Sequence, residues 1–467
     1  MRRGWIGLVA GLLMGVGSVS GWASESPRGT DAGRMNVIVI LLDTVRPDHL
    51  SCYGYRRQTT PHIDEVARAG VVFTHAFSQA PQTFPSLLSL FTSQYPVPQW
   101  LLWKAGELDP STDTLTELLK REGYVTAAFV GFPKDPSPLT GLVESRPFRA
   151  FDEMTFDVHL RALPQKLFDW LQTPREQPFF LFLHGFDAHE PHVLPIQYDA
   201  KRFNPRYRGK VPSSLWELLR QLPLSPDELM QLPFPERFRV IRRYYLDLFR
   251  SAHGIPPDDL KHLQAAYDAQ LYYLDRGLGE LWTALTNLHL MDRTIVVLLS
   301  DHGQAFGEHG LYADHGQCYD ELMHIILIVA DPRLQRRGLR IRHIVQAVDV
   351  MPTLLELLGV SPSRTAVGRS LAPLLSGGRD VGREEIAVST WRGVRAIRTR
   401  EWKLIAMADG SAELYHLVND PREQHNVIHR YPLVATQLQQ RLAEFFPPRE
   451  AAHPATVEPG IRRDGYW

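Results

Sequence analysis

Residues 294–315 read TIVVLLSDHGQAFGEHGLYADH. The run Ile295-Val296-Val297-Leu298-Leu299 is apolar throughout and closes at Ser300. A short continuous apolar run between polar residues predicts a strand covered on both faces, as in parallel sheets. Asp301, His302 and Gly303 follow at once. Open α/β sheets take their ligands beyond the carboxyl ends of such strands. Gly303 lets the backbone turn there, so Asp301 and His302 can both face one metal ion. Taken alone, a capping aspartate and an exposed histidine explain the pair equally well.

Two further stretches repeat the pattern. Residues 36–42 (NVIVILL) end at Asp43, and residues 179–183 (FFLFL) end at His184, with Asp187 and His189 close behind. A chance core histidine explains one such strand end more easily than three. Between these strands, Thr83 precedes Phe84-Pro85-Ser86 and the apolar run LLSLF. Proline is tolerated in the first turn of a helix, so a helix is expected from about Phe84 with Thr83 as its N-cap. The plain role is a cap contributing about 1 kcal/mol. The same place also sets a hydroxyl beside free backbone N–H groups and the positive dipole end, which favour an anion.

Helices are further expected at residues 62–70, 112–122, 163–173, 258–288 and 349–358, and strands at 123–130 and 325–329. Residues 195–255, rich in Arg, Pro and Leu, lack a strand pattern and read as a helical insertion near the site mouth. A composition shift over residues 374–386 divides a catalytic domain, residues 35–375, from a small C-terminal subdomain, residues 385–446. Short strand-like pieces with turns between them give that subdomain an antiparallel sheet, followed by a helix at about 431–446. Residues 447–467 read as a tail.

The 467 residues, 44% of them hydrophobic and 22% charged, suffice for a full core. A net charge of −1 supplies no broad positive field and excludes general nucleic-acid binding. Cys52 and Cys318 are the only cysteines, too few for a disulfide framework and without a zinc spacing. One bridge between them stays open; free buried thiols are the simpler reading. Arg2-Arg3, the apolar residues 5–19 and Gly21-Trp22-Ala23 follow the order of a signal peptide. This predicts export to the periplasm or exterior, cleavage of residues 1–23, and residues 24–34 as a tether. The apolar run is shorter than the roughly 20 residues a spanning helix needs. An uncleaved N-terminal anchor is the alternative, and no other segment could span a membrane.

The pieces NVIVILLDTVRPDHLSCYGY, TTPHIDEVARAGVVFTHAFSQAPQTFPS, GYVTAAF, FLFLHGFDAHEPH, VVLLSDHGQAFGEHGLYADHG, WKLI and ELYHLVNDPREQHNV stand in this order. From about Asn36 to Leu442 the chain resembles the sulfatases and their alkaline-phosphatase-like relatives. The resemblance implies an α/β fold with a large, mostly parallel sheet sandwiched by helices, and a small C-terminal antiparallel sheet plus helix. It places metal ligands at Asp43, Asp301 and His302, the nucleophile at Thr83, an active-site histidine at His189 and a late basic residue at His315.

The chain also departs from that pattern. Thr44 stands where most sulfatases have a second acid. Thr83-Phe84-Pro85-Ser86-Leu87 replaces the C/S-x-P-x-R motif. A threonine carries a methyl group on its β-carbon and cannot become the formylglycine aldehyde, so none is expected. Gly131-Phe132-Pro133-Lys134 replaces the family's Lys and His. The set Asp43, Thr83, Asp301 and His302 resembles the single-metal site of phosphoethanolamine and phosphoglycerol transferases in the same superfamily, where the threonine oxygen is both ligand and nucleophile. Carboxylates, an alkoxide and an imidazole suit Zn²⁺ or Mn²⁺ better than Ca²⁺. The expected activity is metal-dependent hydrolysis or transfer of phosphate or sulfate esters through Thr83. A formylglycine-independent sulfate ester hydrolase and an inactive sulfatase-like binding protein are the alternatives. The substrate class is a small-molecule, lipid head-group or glycan ester.

Overall fold

The computed structural model describes residues 34–96, 108–132, 134, 144–195, 197–199, 201–249, 255–312, 315–378, 384–389 and 393–446. The expected leader, the tether apart from Arg34, and the tail lie outside the described residues. Nine strands form one sheet: β1 (Asn36–Leu42), β2 (Val71–Phe77), β3 (Val125–Val130), β4 (Glu153–Thr155), β5 (Phe179–Gly185), β6 (Thr294–Ser300), β7 (His324–Ile325), β8 (Leu327–Ala330) and β9 (Leu339–Gln346). Their order is β4-β3-β5-β1-β6-β8-β2-β7, with β9 beside β2. The run β4-β3-β5-β1-β6 is parallel throughout; β8 is antiparallel to both β6 and β2. The carboxyl ends of β1, β2, β3, β5 and β6 therefore share one edge.

The continuous apolar runs exist because both sheet faces are covered. Ile38, Ile40, Leu181, Leu183, Val296 and Leu298 pack on one face beneath the long helix Pro257–Asn287, which contributes Tyr267, Leu271, Leu274 and Leu278. The alternate residues Val37, Val39, Phe180, Phe182, Val297 and Leu299 pack on the other. The helix Thr83–Thr92 covers them with Phe84, Leu88 and Phe91. Each such side chain contributes roughly 1.5–3 kcal/mol on burial.

Residues within the expected insertion form helices Leu215–Gln221, Pro226–Gln231 and Phe234–Asp247. The last of these sends Tyr245 into the core. The C-terminal strands β10 (Glu385–Ser389), β11 (Arg395–Thr399), β12 (Trp402–Ala406) and β13 (Ala412–His416) make an antiparallel sheet in sequence order. Helix Pro432–Phe445 covers one face through Leu438 and Leu442. The other face packs Ile386, Val388, Ala396 and Ile405 against Phe77, Cys318, Leu322 and Met323 of the larger unit.

The strand expected at 325–329 is divided in two. The Ile326 N–H donates to the Ser300 hydroxyl (3.1 Å), and pairing with β6 begins only at Leu327. Cys52 and Cys318 are both free thiols. Among the described residues no helix is long and apolar enough to cross a membrane.

Candidate active site

Three strand ends and one helix end build the site. Asp43 follows β1, and Asp301 and His302 follow β6, the strand paired in register with it. Between Asp43 and Val45 the chain turns through Thr44 at φ 59°, a strained region for a β-branched residue. That turn aims the Thr44 N–H at Asp301 Oδ1 (3.1 Å). The long helix braces it: the Tyr267 hydroxyl donates to the Thr44 carbonyl (2.9 Å) and accepts from the Arg46 N–H (3.0 Å). At β6 the backbone folds over Gly303, where an added Cβ would lie 2.0 Å from the Glu321 carbonyl oxygen. Only glycine fits, and its N–H donates to Leu322 O (2.8 Å).

Thr83 is the first residue of its helix, not the N-cap; Gln82 takes the extended capping conformation. The shift has a physical reason. The threonine hydroxyl is not spent on its own backbone but donates to Asp43 Oδ2 (3.2 Å) and lies 3.3 Å from His302 Nε2. Ser86, one turn on, ties the helix to the β6 turn by donating to the Asp301 carbonyl (2.8 Å).

The expected metal ligands are thus brought together. One donor atom each from Asp43, Asp301 and His302 lies within 4.8 Å of the others, and all three residues are buried. Asp43 Oδ1 and Asp301 Oδ2 have no hydrogen-bond partner among the described residues. Buried carboxylate oxygens are costly unless paired or bound to a metal. His302 Nδ1 donates to the Gly303 carbonyl (2.9 Å), which leaves the lone pair of a neutral ring on Nε2. Two orphaned oxygens, a hydroxyl and an imidazole lone pair fit one divalent cation.

Burial alone pushes Asp43 up. The hydrogen bond from His184 and the positive potentials of His189, His184 and His302 outweigh it, so its carboxyl sits below the ordinary range. Asp301 is pushed up, by burial first and then by the charge of Asp43.

His189 and His315 also converge. The His315 ring lies 4.7 Å from that of His302 and 5.9 Å from that of His189. His315 is held well below its ordinary value by burial and by His302, so it is neutral near pH 7. His189 stacks on Phe186 at 4.3 Å, and its Nδ1 donates to the Glu190 carbonyl (2.9 Å).

Sequence reading did not count several residues that build this site. His184, one residue from the end of β5, places Nε2 3.1 Å from Asp43 Oδ2. Arg46 spans two loops, donating to Gln304 O (2.8 Å) and Glu308 Oε1 (2.9 Å). Gln82 donates to the His315 carbonyl. Arg242, from the inserted helix Phe234–Asp247, sets its fork on the buried Glu190 carboxylate (2.9 Å) beside His189. The insertion therefore does reach the site. Asp187 and His309 do not join the ligand set. Asp187 accepts from Leu160 N and Arg161, and His309 stacks on Tyr319 at 3.6 Å.

A sulfatase family model matches residues 35–360, and a model of the N-sulphoglucosamine sulphohydrolase C-terminal region matches residues 307–446. Human arylsulfatase K is 25% identical over 489 residues, 94% of this chain and 86% of its own. A delta 4,5-hexuronate-2-O-sulfatase of Bacteroides thetaiotaomicron is 24% identical, with 84% of each chain covered. The phosphonate monoester hydrolase of Agrobacterium radiobacter superposes with TM-score 0.68 at 21% identity, covering 88% of this chain and 95% of its own. A structure holding its substrate D-glucosamine-2-N,6-O-disulfate gives TM-score 0.68 at 20% identity, covering 88% and 97%. With the family model spanning both central strands and every site residue named above, the chain belongs to the sulfatase family.

Proposed function

We propose that this chain hydrolyses sulfate esters, or phosphate esters as the second reading, through a covalent intermediate on Thr83 in a site for one divalent cation. The observation that carries the proposal is the Thr83 hydroxyl lying 3.2 Å from Asp43 Oδ2 and 3.3 Å from His302 Nε2, beside two orphaned carboxylate oxygens. Asp43, Thr83, Asp301 and His302 would hold the ion; Zn²⁺ and Mn²⁺ suit this mixed donor set. When bound, such an ion lowers the proton affinity of the hydroxyl and draws charge from the ester oxygens.

The chain's own residues supply the rest. The Thr83 proton leaves toward Asp43 Oδ2 as Oγ1 bonds to sulfur or phosphorus. The ester bond breaks on the far side, and His189 gives its proton to the departing alcohol oxygen. Glu190 stands beside His189, its Oε2 3.3 Å from Nδ1. Burial would raise Glu190, but His189 and Arg242 hold its carboxyl below the ordinary range. His315, neutral and buried, offers a hydrogen bond to a non-bridging oxygen. Water then cleaves the threonine ester, giving one proton to His189, while Asp43 returns its proton to Thr83.

Family membership and the sulfatase relatives support sulfate, and a sulfated sugar is the substrate class their names suggest. Thr83 in place of a formylglycine precursor, with Leu87 in place of the motif arginine, favours phosphate: a threonine ester must be attacked directly, which suits phosphoryl transfer. Residues 1–23 support export.

The test is turnover of nitrophenyl sulfate, phosphate and phosphodiester by metal-stripped protein with Zn²⁺, Mn²⁺ or Ca²⁺ restored, beside Thr83→Ala and Thr83→Ser. The alanine variant should lose at least about a thousandfold, with serine retaining a measurable fraction. Sulfate turnover that survives in Thr83→Ala removes Thr83 as the nucleophile. A protein that binds no metal and turns over none of the three esters removes the enzymatic reading.

A further inference from the structure

Asp43, Asp301 and His302 are each oriented by further contacts, and these contacts are not alike. Asp301 Oδ1 accepts from two backbone N–H groups, Thr44 at 3.1 Å and His302 at 2.8 Å. His302 Nδ1 donates to the Gly303 carbonyl at 2.9 Å. The partners of both are main chain and come with the fold. Asp43 is different. Its Oδ2 meets the Thr83 hydroxyl and one further side chain, His184, whose Nε2 stands 3.1 Å away with both side chains fully buried. A carboxylate only accepts, so Nε2 is the protonated nitrogen.

Packing does not explain a histidine at this place. His184 lies on β5 with Phe182 and Phe180 two and four residues before it on the same face. The Phe132 ring stands edge-on to it at 5.5 Å. Its Nδ1 is buried with no partner among the described residues. An apolar side chain would fill the space without leaving that atom unsatisfied. The contact with Asp43 is what the imidazole adds there. With Oδ2 so occupied, Oδ1 is the oxygen of Asp43 left without a hydrogen-bond partner among the described residues.

We propose that His184 is a positioning residue for the metal site: its Nε2–H fixes the Asp43 carboxylate so that Oδ1 is presented to a divalent cation. This rests on the reading of Asp43, Thr83, Asp301 and His302 as the donor set. Partners that orient metal ligands typically carry 10–100-fold in metal affinity. His184 is the orienting side chain that substitution can remove without touching the backbone.

The experiment titrates Zn²⁺ into metal-stripped full-length protein in competition with a chromophoric chelator. Wild type is compared with His184→Leu, which fills the space, and His184→Gln, whose amide nitrogen keeps a donor. Melting temperatures of the metal-free forms are measured in parallel. The leucine variant should bind Zn²⁺ about 10–100-fold more weakly, the glutamine variant should recover most of that loss, and the metal-free melting temperatures should stay close. Zn²⁺ affinity in His184→Leu within twofold of wild type overturns the proposal, as does a glutamine variant that folds yet binds no better than leucine. If the leucine variant does not fold, His184→Met takes its place as the donor-free comparison under the same twofold criterion. Wild type that takes up no Zn²⁺ removes the donor-set reading as well, which separates the two failures.

Discussion

Glu321→Gln should make the protein more stable in mild alkali and flatten its pH dependence. Glu321 sits behind the Gly303 turn, with its side chain only 9% exposed and Oε1 3.6 Å from His309 Nε2. That distance is too long for a hydrogen bond, and Oε1 has no hydrogen-bond partner among the described residues. Burial first, then the charges of Glu423 and Glu308, push its carboxyl up to about 8. A carboxyl whose folded value lies above its unfolded one holds an extra proton in the folded state. Stability then falls as pH rises from the unfolded value toward the folded one. One proton gives a slope of about 1.4 kcal/mol per pH unit, so about 2 kcal/mol should be lost between pH 6.5 and 9. His309, held below its ordinary value by burial and Lys403, is the same in both proteins, so its own titration cancels in the comparison. Glu423, raised to about 7 by burial, adds a smaller loss in the same direction. Glutamine keeps the shape and removes the titration. Urea denaturation followed by tryptophan fluorescence at pH 6.5, 7.5, 8.5 and 9 reads the difference between the two proteins. The variant should gain about 2 kcal/mol on wild type across the series. Parallel curves would refute the reasoning, since they would mean that Glu321 is ionised in the folded protein at neutral pH.

Gly303→Ala brings a Cβ to 2.0 Å from the Glu321 carbonyl, so either the Asp301–His302 turn or the helix Asp320–Met323 must move. A loss of about 1–3 kcal/mol is expected, together with lower bound-metal content by elemental analysis; unchanged metal content would show that the turn absorbs the methyl group. Lys403→Met removes a fully buried cation 2.7 Å from both Asp320 Oδ1 and Glu423 Oε1. Asp320 keeps Arg398 at 3.0 Å, but the buried Glu423 loses its cation at the seam between the sheets, at a cost of about 3–5 kcal/mol. Adding Asp320→Asn should recover part of that in the same urea assay.

What could be read from the sequence depended on whether a residue's partner was set by the strand pattern. β1, β5 and β6 announced themselves because both faces are covered and no polar residue interrupts them. Parallel pairing then forces Asp43 and Asp301 to the same edge, so their convergence with His302 followed from strand ends alone. The strands Val71–Phe77 and Leu339–Gln346 were harder to see. They lie beside each other away from the centre, and their His75, Arg340 and Arg342 break the apolar runs. The N-cap expectation for Thr83 is one residue out because the propensity of threonine for the N-cap is a local rule, and the tertiary contact with Asp43 overrides it. Arg46 with Glu308, separated by 262 residues, and Arg242 with Glu190, by 52, carry no local signal, since charge pairing across loops follows from chain packing.

His184 was the nearest miss. It was visible as a strand-end histidine, but a carboxyl-end histidine counts as a metal donor only if its nitrogen reaches the ion. Strand register decides that. His184 pairs with Leu41 rather than with Asp43, two residues short of the site, so its ring meets the Asp43 carboxylate from behind. A two-place difference in register separates a ligand from the group that holds a ligand. That distinction belongs to the pairing of two strands and not to either sequence alone.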